Sequence, residues 1–554
     1  MRKFKKSSVI TLSLAATLAL AACSSDPEET EENAGGDGTA EETEETEDGD
    51  DEGDGEAAAG DGGELVIALS ADGVSLDPHG QNDNPSAKYR ALIYETLMTF
   101  DPETYELEPG LAESYEQIDD STFEFSLHEG VEFHNGEELT ADDVVATFDR
   151  MLDPEIAAPS SFLFDMIDSV EAIDDYTVQM TTEYPFAPLL SHLAHNAGGI
   201  ISETAIEADY AGEINLDIGE GDAGTGQFVF DEWNEGADLR MLRNDNYWGE
   251  PANIDSVYFQ VIGEDATRIG NLQTGDVHVA DLIQPALADQ VEAIDGASLV
   301  AVPSLSLTYI GFNTEAEPFD DVRVRQAVSL AVDNDTLVEG IYEGYGTAAK
   351  GPINDLTFGY DDGLEDIGYD PDRARELLEE AGHEDGLDIT FSMNSDNPIR
   401  QQTAEIVQDQ LSEIGINATL ENVEWGAYLD QTGAGNSQMF ILGWVTVTGD
   451  ADYGMYSLFH SDQHGDPGNR SFYTNEEVDE LLDQARQSTD DAEREELYSQ
   501  VQEILIEEAP MVYTVFDDFR IGVADSVEGF IQVPNGQFDL SEVSISEEAG
   551  GSSY

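Results

Sequence analysis

Several residue sets in this sequence have types and spacings that could do chemistry. His460 and His464 stand four apart, and His192 and His195 stand three apart beside Gly198-Gly199. On a helix, such spacings place a pair on one face, where it could hold a metal. "HSDQHGDPGN" reads as loop, however, and no H-E-x-x-H is present. With nine histidines over 554 residues, the bland reading is structural or surface histidine, and metal ligation by His460 and His464 stays as an alternative. Gly219-Glu220-Gly221-Asp222-Ala223-Gly224 matches G-x-G-x-x-G, but Glu220 and Asp222 would repel a pyrophosphate. Paired carboxylates could serve a secreted hydrolase of the glycosidase kind. Among 121 acidic residues such pairing is unavoidable and carries no information. No G-x-S-x-G elbow occurs. The chain therefore reads as a non-enzyme with no cofactor, and a hydrolase remains only the alternative of another class.

The single cysteine, Cys23, has the most informative surroundings. Arg2, Lys3, Lys5 and Lys6 make a positive start, and Val9 to Ala22 is apolar. A membrane span needs about twenty apolar residues, so this shorter run fits a signal-peptide core. Leu20-Ala21-Ala22-Cys23 resembles a bacterial lipobox, which implies cleavage before Cys23 and lipidation of its thiol. Residues 1–22 are thus expected to be a lipoprotein signal peptide. The absence of a second thiol suits an oxidising, extracytoplasmic setting.

Residues 24–63 hold 18 Asp or Glu and no Lys or Arg. Such a segment cannot bury enough apolar surface to offset its ordering entropy, so 23–63 reads as a lipidated cysteine followed by a disordered acidic tether. Asp48 to Gly53 hints at a calcium loop, but the twelfth position is Ala59 rather than Glu. The net charge of the whole chain is -101. Without residues 1–63 there remain 16 basic and 103 acidic residues, so the excess belongs to the folded part as well. Nucleic acid is excluded as a partner, since binding it needs basic patches. In about 1 M salt the Debye length falls to about 3 Å, and self-repulsion on this scale is screened. An extracellular protein of a salt-loving or alkaline habitat is expected.

Roughly 490 residues are too many for one core, and at least two lobes must position whatever site exists. Ser121 to His128 alternates through Phe123, Phe125 and Leu127, the period of a half-buried strand. Asn135-Gly136 marks a turn. Thr140 with Asp143 resembles a capping box, followed by Val144, Val145, Phe148, Met151 and Leu152 at helical spacing. Asp370 caps and Pro371 opens a helix that ends near Gly382. Thr474 is read as the start of another, and a third runs from about Asp491 to Glu508.

In order along the chain stand "LDPHGQNDNPSAKYRALIYETLMTFD" (76–101), "LAESYEQIDDSTFEFSLHEGVEFHNGEELTADDVVATFDRML" (111–152), "GTGQFVFDEWNEGADLRMLRNDNYWGEPANIDSVYFQVIGEDATRIGNLQTGDVHVA" (224–280) and "GFNTEAEPFDDVRVRQAVSLAVD" (311–333). These resemble the peptide- and nickel-type substrate-binding proteins of ABC importers, the extracytoplasmic solute-binding family 5, over nearly all of residues 64 to 525. The resemblance implies an α/β fold of the two-lobe, periplasmic-binding-protein kind (type II, large, with an extra subdomain). Residues 64–311 and 526–554 would form lobe I, with a subdomain inserted at about 106–240, and residues 312–525 lobe II. A hinge would let the lobes close on a ligand in the cleft between them. Permease and ATPase would be separate chains, the receptor a monomer, and its only membrane attachment the lipid anchor. A sensor or pheromone receptor on the same scaffold stays open.

Trp444 follows an apolar run and precedes polar residues and glycines, as a strand delivering side chains into a cleft would. In the family this tract lines the ligand site. Dipeptide receptors usually carry an Asp three residues after the Trp, where this chain has Val447. Ungapped alignment puts Asn394 where they carry an Arg for the ligand carboxylate. Both ends of the usual dipeptide clamp are therefore changed, and a buried ligand charge without a partner is costly. "TGDADY", "SLF" and "GNRSFYTNEEVDELL" are more similar to receptors assigned to glutathione import. On that reading Arg470 and Arg400 would clamp carboxylates. Asp450 and Asp452 would take the ammonium, and Trp444 and Tyr453 would wall the pocket. A nickel or metal-chelate receptor of the same family is the alternative. The "LDPHGQNDN" loop is a further candidate wall of the cleft.

Overall fold

The computed structural model describes residues 62–395, 397–466 and 468–546. Cys23, the signal segment and nearly all of the tether lie outside the described residues. Where the sequence shows local caps, the expected elements form. Helix Ala141–Met151 starts at a Thr140–Asp143 capping box and buries Val144, Phe148 and Met151. Each such side chain contributes about 1.5–3 kcal/mol by leaving water. Helix Pro371–Ala381 has Asp370 as its N-cap and ends on Gly382 at φ +91°. The helix expected to begin at Thr474 instead spans Glu476–Gln487. Asn475 caps it, because its side chain takes the backbone N–H groups of Glu477 and Val478. The longest helix, Asp491–Glu508, begins and ends where expected.

Eleven strands form one mixed sheet. Its spine is the antiparallel pair Ala297–Phe312 and Met511–Ala524. At one end, 297–303 lies against 518–524, and Met511–Ala524 continues there to Val279–Ala280, Glu64–Leu69 and Ser256–Val261. At the other end, 307–312 lies against 511–516 and carries Met439–Val445, Leu387–Asn394 and Ile416–Val423. The register breaks between Pro303 and Leu307. Proline has no N–H to give the ladder. The Ser304 hydroxyl donates to the Asp517 carbonyl at 2.5 Å, and the Asn354 amide donates to the Ser304 carbonyl at 2.9 Å. The ladder is thus interrupted here, with side-chain bonds in its place, and a second register shift falls between Thr308 and Tyr309.

Separate cores flank this interruption. One gathers Leu65, Ile67, Phe228, Phe259 and Ile521. Another gathers Phe312, Val328, Phe391, Val407 and Ile441. A four-stranded antiparallel sheet, built from 112–119, 122–127, 177–182 and 167–174, has its own core around Phe125, Phe148 and Phe164. Phe123, Phe125 and Leu127 all point into that core, as their alternation required.

Candidate functional site

Strand Met439–Val445 is buried over its first four residues and emerges at Gly443, Trp444 and Val445. There it meets a cavity of about 210 Å³. Its lining includes Trp444, Val447 and Tyr453 together with Asp83, His195 and Asn196. Trp444 packs on Tyr453 at 5.2 Å between ring centroids, and Tyr453 reaches Phe162 at 6.3 Å. Tyr453 is fully committed to this stack, and burial pushes its hydroxyl pKa well up. The Tyr105 hydroxyl donates to the carbonyl of the lining residue Val447 at 2.9 Å.

The polar atoms of this cavity are unevenly satisfied. The Trp444 indole Nε1–H has no hydrogen-bond partner. The Nδ1 of His195 accepts the Ala197 backbone N–H at 3.1 Å. Burial pulls the His195 pKa down to about 3, with Arg90 and His192 adding to the effect. The ring is therefore neutral and its proton sits on Nε2, a donor on the cavity side. Asp83 spends one carboxylate oxygen on the Ser86 N–H at the start of helix Asn84–Ile93. Its other oxygen, and the Oδ1 of Asn196, are unpartnered. Buried polar atoms without partners are costly unless something supplies the missing bond. Trp444, Asp83, His195 and Asn196 thus bring polar side chains to the lining of this cavity, with three of their polar atoms buried and unpartnered.

The expected site residues divide sharply. Trp444, Val447 and Tyr453 line the cavity. Arg400 lies beside Gly443, a lining residue: its guanidinium is 3.1 Å from where a Cβ on Gly443 would stand. Arg400 also donates to the Asn394 Oδ1 at 3.2 Å, so the two residues expected at the carboxylate end are together.

Asp450, Asp452 and Arg470 have other occupations. Asp450 accepts from Arg494 at 2.8 Å on both oxygens, with both side chains at most 6% exposed. Asp452 pairs with Arg486 at 3.1 Å. Both carboxylates take part in buried ion pairs, and neither residue is among those lining the cavity. Arg470 donates at 2.8 Å to the Leu429 carbonyl and the Thr432 hydroxyl, and it pairs with Asp466. It fastens its loop to helix Trp425–Gly433.

The histidine pairs do not converge. His460 stacks on Tyr456 and accepts the Asp462 N–H, while His464 hydrogen-bonds the Tyr473 carbonyl. His192 bonds the Leu163 carbonyl at 2.7 Å inside the core. Among the described residues no group of three or more His, Cys, Asp or Glu could hold a metal ion. The Gly219–Gly224 motif is a packing device: a Cβ on Gly224 would strike the Ile93 carbonyl.

Residues 106–466 match the family model of bacterial extracellular solute-binding proteins, family 5. The chain belongs to this family. Among curated relatives, the glutathione-binding protein GsiB of Pectobacterium atrosepticum is 32% identical over 493 residues, covering 87% of this chain and 94% of the relative. GsiB of Escherichia coli K12 is 32% identical over 492 residues with the same coverage. Among solved structures, the periplasmic binding protein DppA of Helicobacter pylori, in complex with the peptide STSA, shares 31% identity with a TM-score of 0.76. That match covers 88% of this chain and 98% of DppA. HbpA2 of Haemophilus parasuis shares 30% identity, with a TM-score of 0.78 over 87% of this chain and all of its own. The two-lobe α/β architecture is that of the family, whose members are solute receptors. No described helix is long and apolar enough to cross a membrane.

Several cavity residues carried no individual sequence signal. His195 was read only as half of a weak metal pair. The "LDPHGQNDN" loop does reach the cavity, through Asn82 and Asp83. Asn535 and Gln537 arrive from a C-terminal stretch with no motif at all.

Proposed function

We propose that this chain is the receptor of an ABC importer, capturing glutathione or a short peptide in the cavity between its lobes and presenting it to a separate permease driven by a separate ATPase. The observation that carries this reading is one cavity of about 210 Å³ lined by Trp444, Val447 and Tyr453 together with Asp83, His195 and Asn196. A peptide-like solute offers carbonyls, carboxylates and an ammonium or amide N–H to such a mixed lining. The names of the GsiB relatives and the STSA complex of DppA support this ligand class.

In this reading the lobes part at the interruption of the spine, near 303–307 and 516–518, rather than at 311 and 525. Closure about that point buries the ligand, and ligand contacts made only in the closed state stabilise it. Cys23 carries the lipid that holds the receptor, a monomer, to the outer face of the membrane. The test is uptake of labelled glutathione by cells with and without this chain. Loss of uptake supports the reading. Intact glutathione uptake with lost dipeptide or nickel–histidine uptake keeps the receptor and replaces the ligand. Cys23→Ala should abolish lipid labelling, and unchanged labelling would sink the anchor.

A further inference from the structure

Lys350 stands apart from the other cations of this chain. After residue 63 there are 16 basic and 103 acidic residues. Among the described residues, each of those basic side chains except Lys350 makes a hydrogen bond or ion pair, as Lys88 does with Asp281 and Arg494 with Asp450. Lys350 is exposed, so water alone could satisfy its ammonium. Its surroundings give it a more specific use.

Lys350 lines a cavity of about 140 Å³, set where helices Val322–Ala331 and Asp491–Glu508 meet the start of strand Met511–Ala524. The lining is largely aliphatic, with Val332, Ile367, Leu505, Ile506, Met511 and Val512. An apolar cavity of about 150 Å³ admits a molecule as large as benzene, so an isopropyl or isobutyl group fits this one. Three carboxylates share the lining. Asp333 is spent on Thr336, whose N–H and hydroxyl donate to it at 3.3 and 2.7 Å. Asp335 and Asp366 are exposed, and among the described residues neither makes a side-chain hydrogen bond or ion pair, with Lys350 or with any other group. None of these residues lines the interlobe cavity.

One aliphatic cavity thus carries an uncommitted cation and two uncommitted carboxylates that do not neutralise one another. A plain anion there would meet Asp335 and Asp366 without an ammonium to offer them, and a plain cation would meet Lys350 without a carboxylate. A zwitterion with an aliphatic side chain satisfies both signs and fills the cavity. We infer that this cavity is a second binding site, separate from the interlobe one, for a free aliphatic amino acid. Lys350 takes the carboxylate, Asp335 or Asp366 takes the ammonium, and the side chain enters the aliphatic space. This site does not depend on the proposed interlobe site.

The experiment is saturation-transfer NMR of L-leucine with the mature protein, freed of carried-over ligand, at one fixed salt concentration. Isocaproate, which lacks the ammonium, and L-leucine methyl ester, which lacks the carboxylate, are the comparison ligands. L-Leucine is expected to bind saturably and about fivefold or more tighter than either. Lys350→Gln should weaken L-leucine about fivefold or more, while Lys350→Arg, which keeps the charge, should stay within about threefold of the wild type. Trp444→Ala should leave L-leucine binding within about twofold. No saturable binding, equal binding of the three ligands, or unchanged affinity in Lys350→Gln would overturn the inference. So would equal loss in Lys350→Arg, or loss in Trp444→Ala, which would put L-leucine in the interlobe cavity instead.

Discussion

The Tyr105 hydroxyl donates to the Val447 carbonyl at 2.9 Å, joining residues 342 positions apart. Tyr105 is stacked 4.4 Å from Phe100 and faces Gly449, where a Cβ would come within 2.9 Å of the ring. Gly449 has φ +61°, a conformation few other residues tolerate. This bond ties the strand-end tract bearing Trp444 to the tract bearing Tyr105. Removing it with Tyr105→Phe deletes one hydrogen bond worth about 0.5–1.5 kcal/mol. Ligand dissociation, followed by stopped-flow fluorescence, should quicken about twofold to tenfold. An unchanged dissociation rate would show that this contact does not hold the lobes together.

The Asp450–Arg494 pair makes an opposite prediction. Asp450→Asn strands a guanidinium that is only 5% exposed, which costs about 3–5 kcal/mol. Chemical denaturation should show that loss, and replacing both partners by apolar residues of similar volume should recover most of it. Ligand affinity of the folded Asp450→Asn protein should change little. Were Asp450 the partner of a ligand ammonium, the same variant would lose binding and keep its stability.

Stability should fall in mild acid through buried histidines. Burial holds His79 and His195 at about 3 in the folded chain, while an unfolded histidine titrates near ~6.5. Below that value the unfolded chain binds protons that the folded one refuses. The stabilisation is complete above pH ~6.5 and drains as the pH drops toward 3. His195→Gln removes one such group. Between pH 6 and 5 the wild type should lose up to ~1.4 kcal/mol per pH unit more than the variant, read from urea midpoints. Glu95 and Asp517 are shifted up by burial and act with the opposite sign, but they are present in both proteins and cancel in the difference.

A net charge of -101 makes salt a structural variable. Raising NaCl from dilute buffer to about 1 M shortens the Debye length to about 3 Å and should raise the thermal midpoint. Equal midpoints in both buffers would remove the halophilic reading.

What the sequence disclosed follows the range of the interactions. Thr140 with Asp143 and Asp370 with Pro371 announce their helices because caps act within three residues. Thr474 was mistaken for a cap because its neighbour Asn475 offers a better acceptor to the same N–H groups. Trp444, Val447 and Tyr453 were legible as cavity wall because they follow directly from the end of one strand. The ion pairs of Asp450 and Asp452 are not legible, because Arg494 and Arg486 lie 44 and 34 residues away, on helices packed against that tract. The acceptors of Arg470 are hidden in the same way, since they sit on helix Trp425–Gly433. His195, Asn196, Asn535 and Gln537 meet only through tertiary packing, and no spacing records their meeting.

The most direct test of the account is calorimetric titration of reduced glutathione into the wild type, Trp444→Ala and Arg470→Ala in molar salt. The account predicts saturable binding that Trp444→Ala weakens about tenfold or more. It predicts that folded Arg470→Ala retains affinity within about threefold. Unaltered binding by Trp444→Ala, or loss confined to Arg470→Ala, would contradict the site placed between Trp444 and His195.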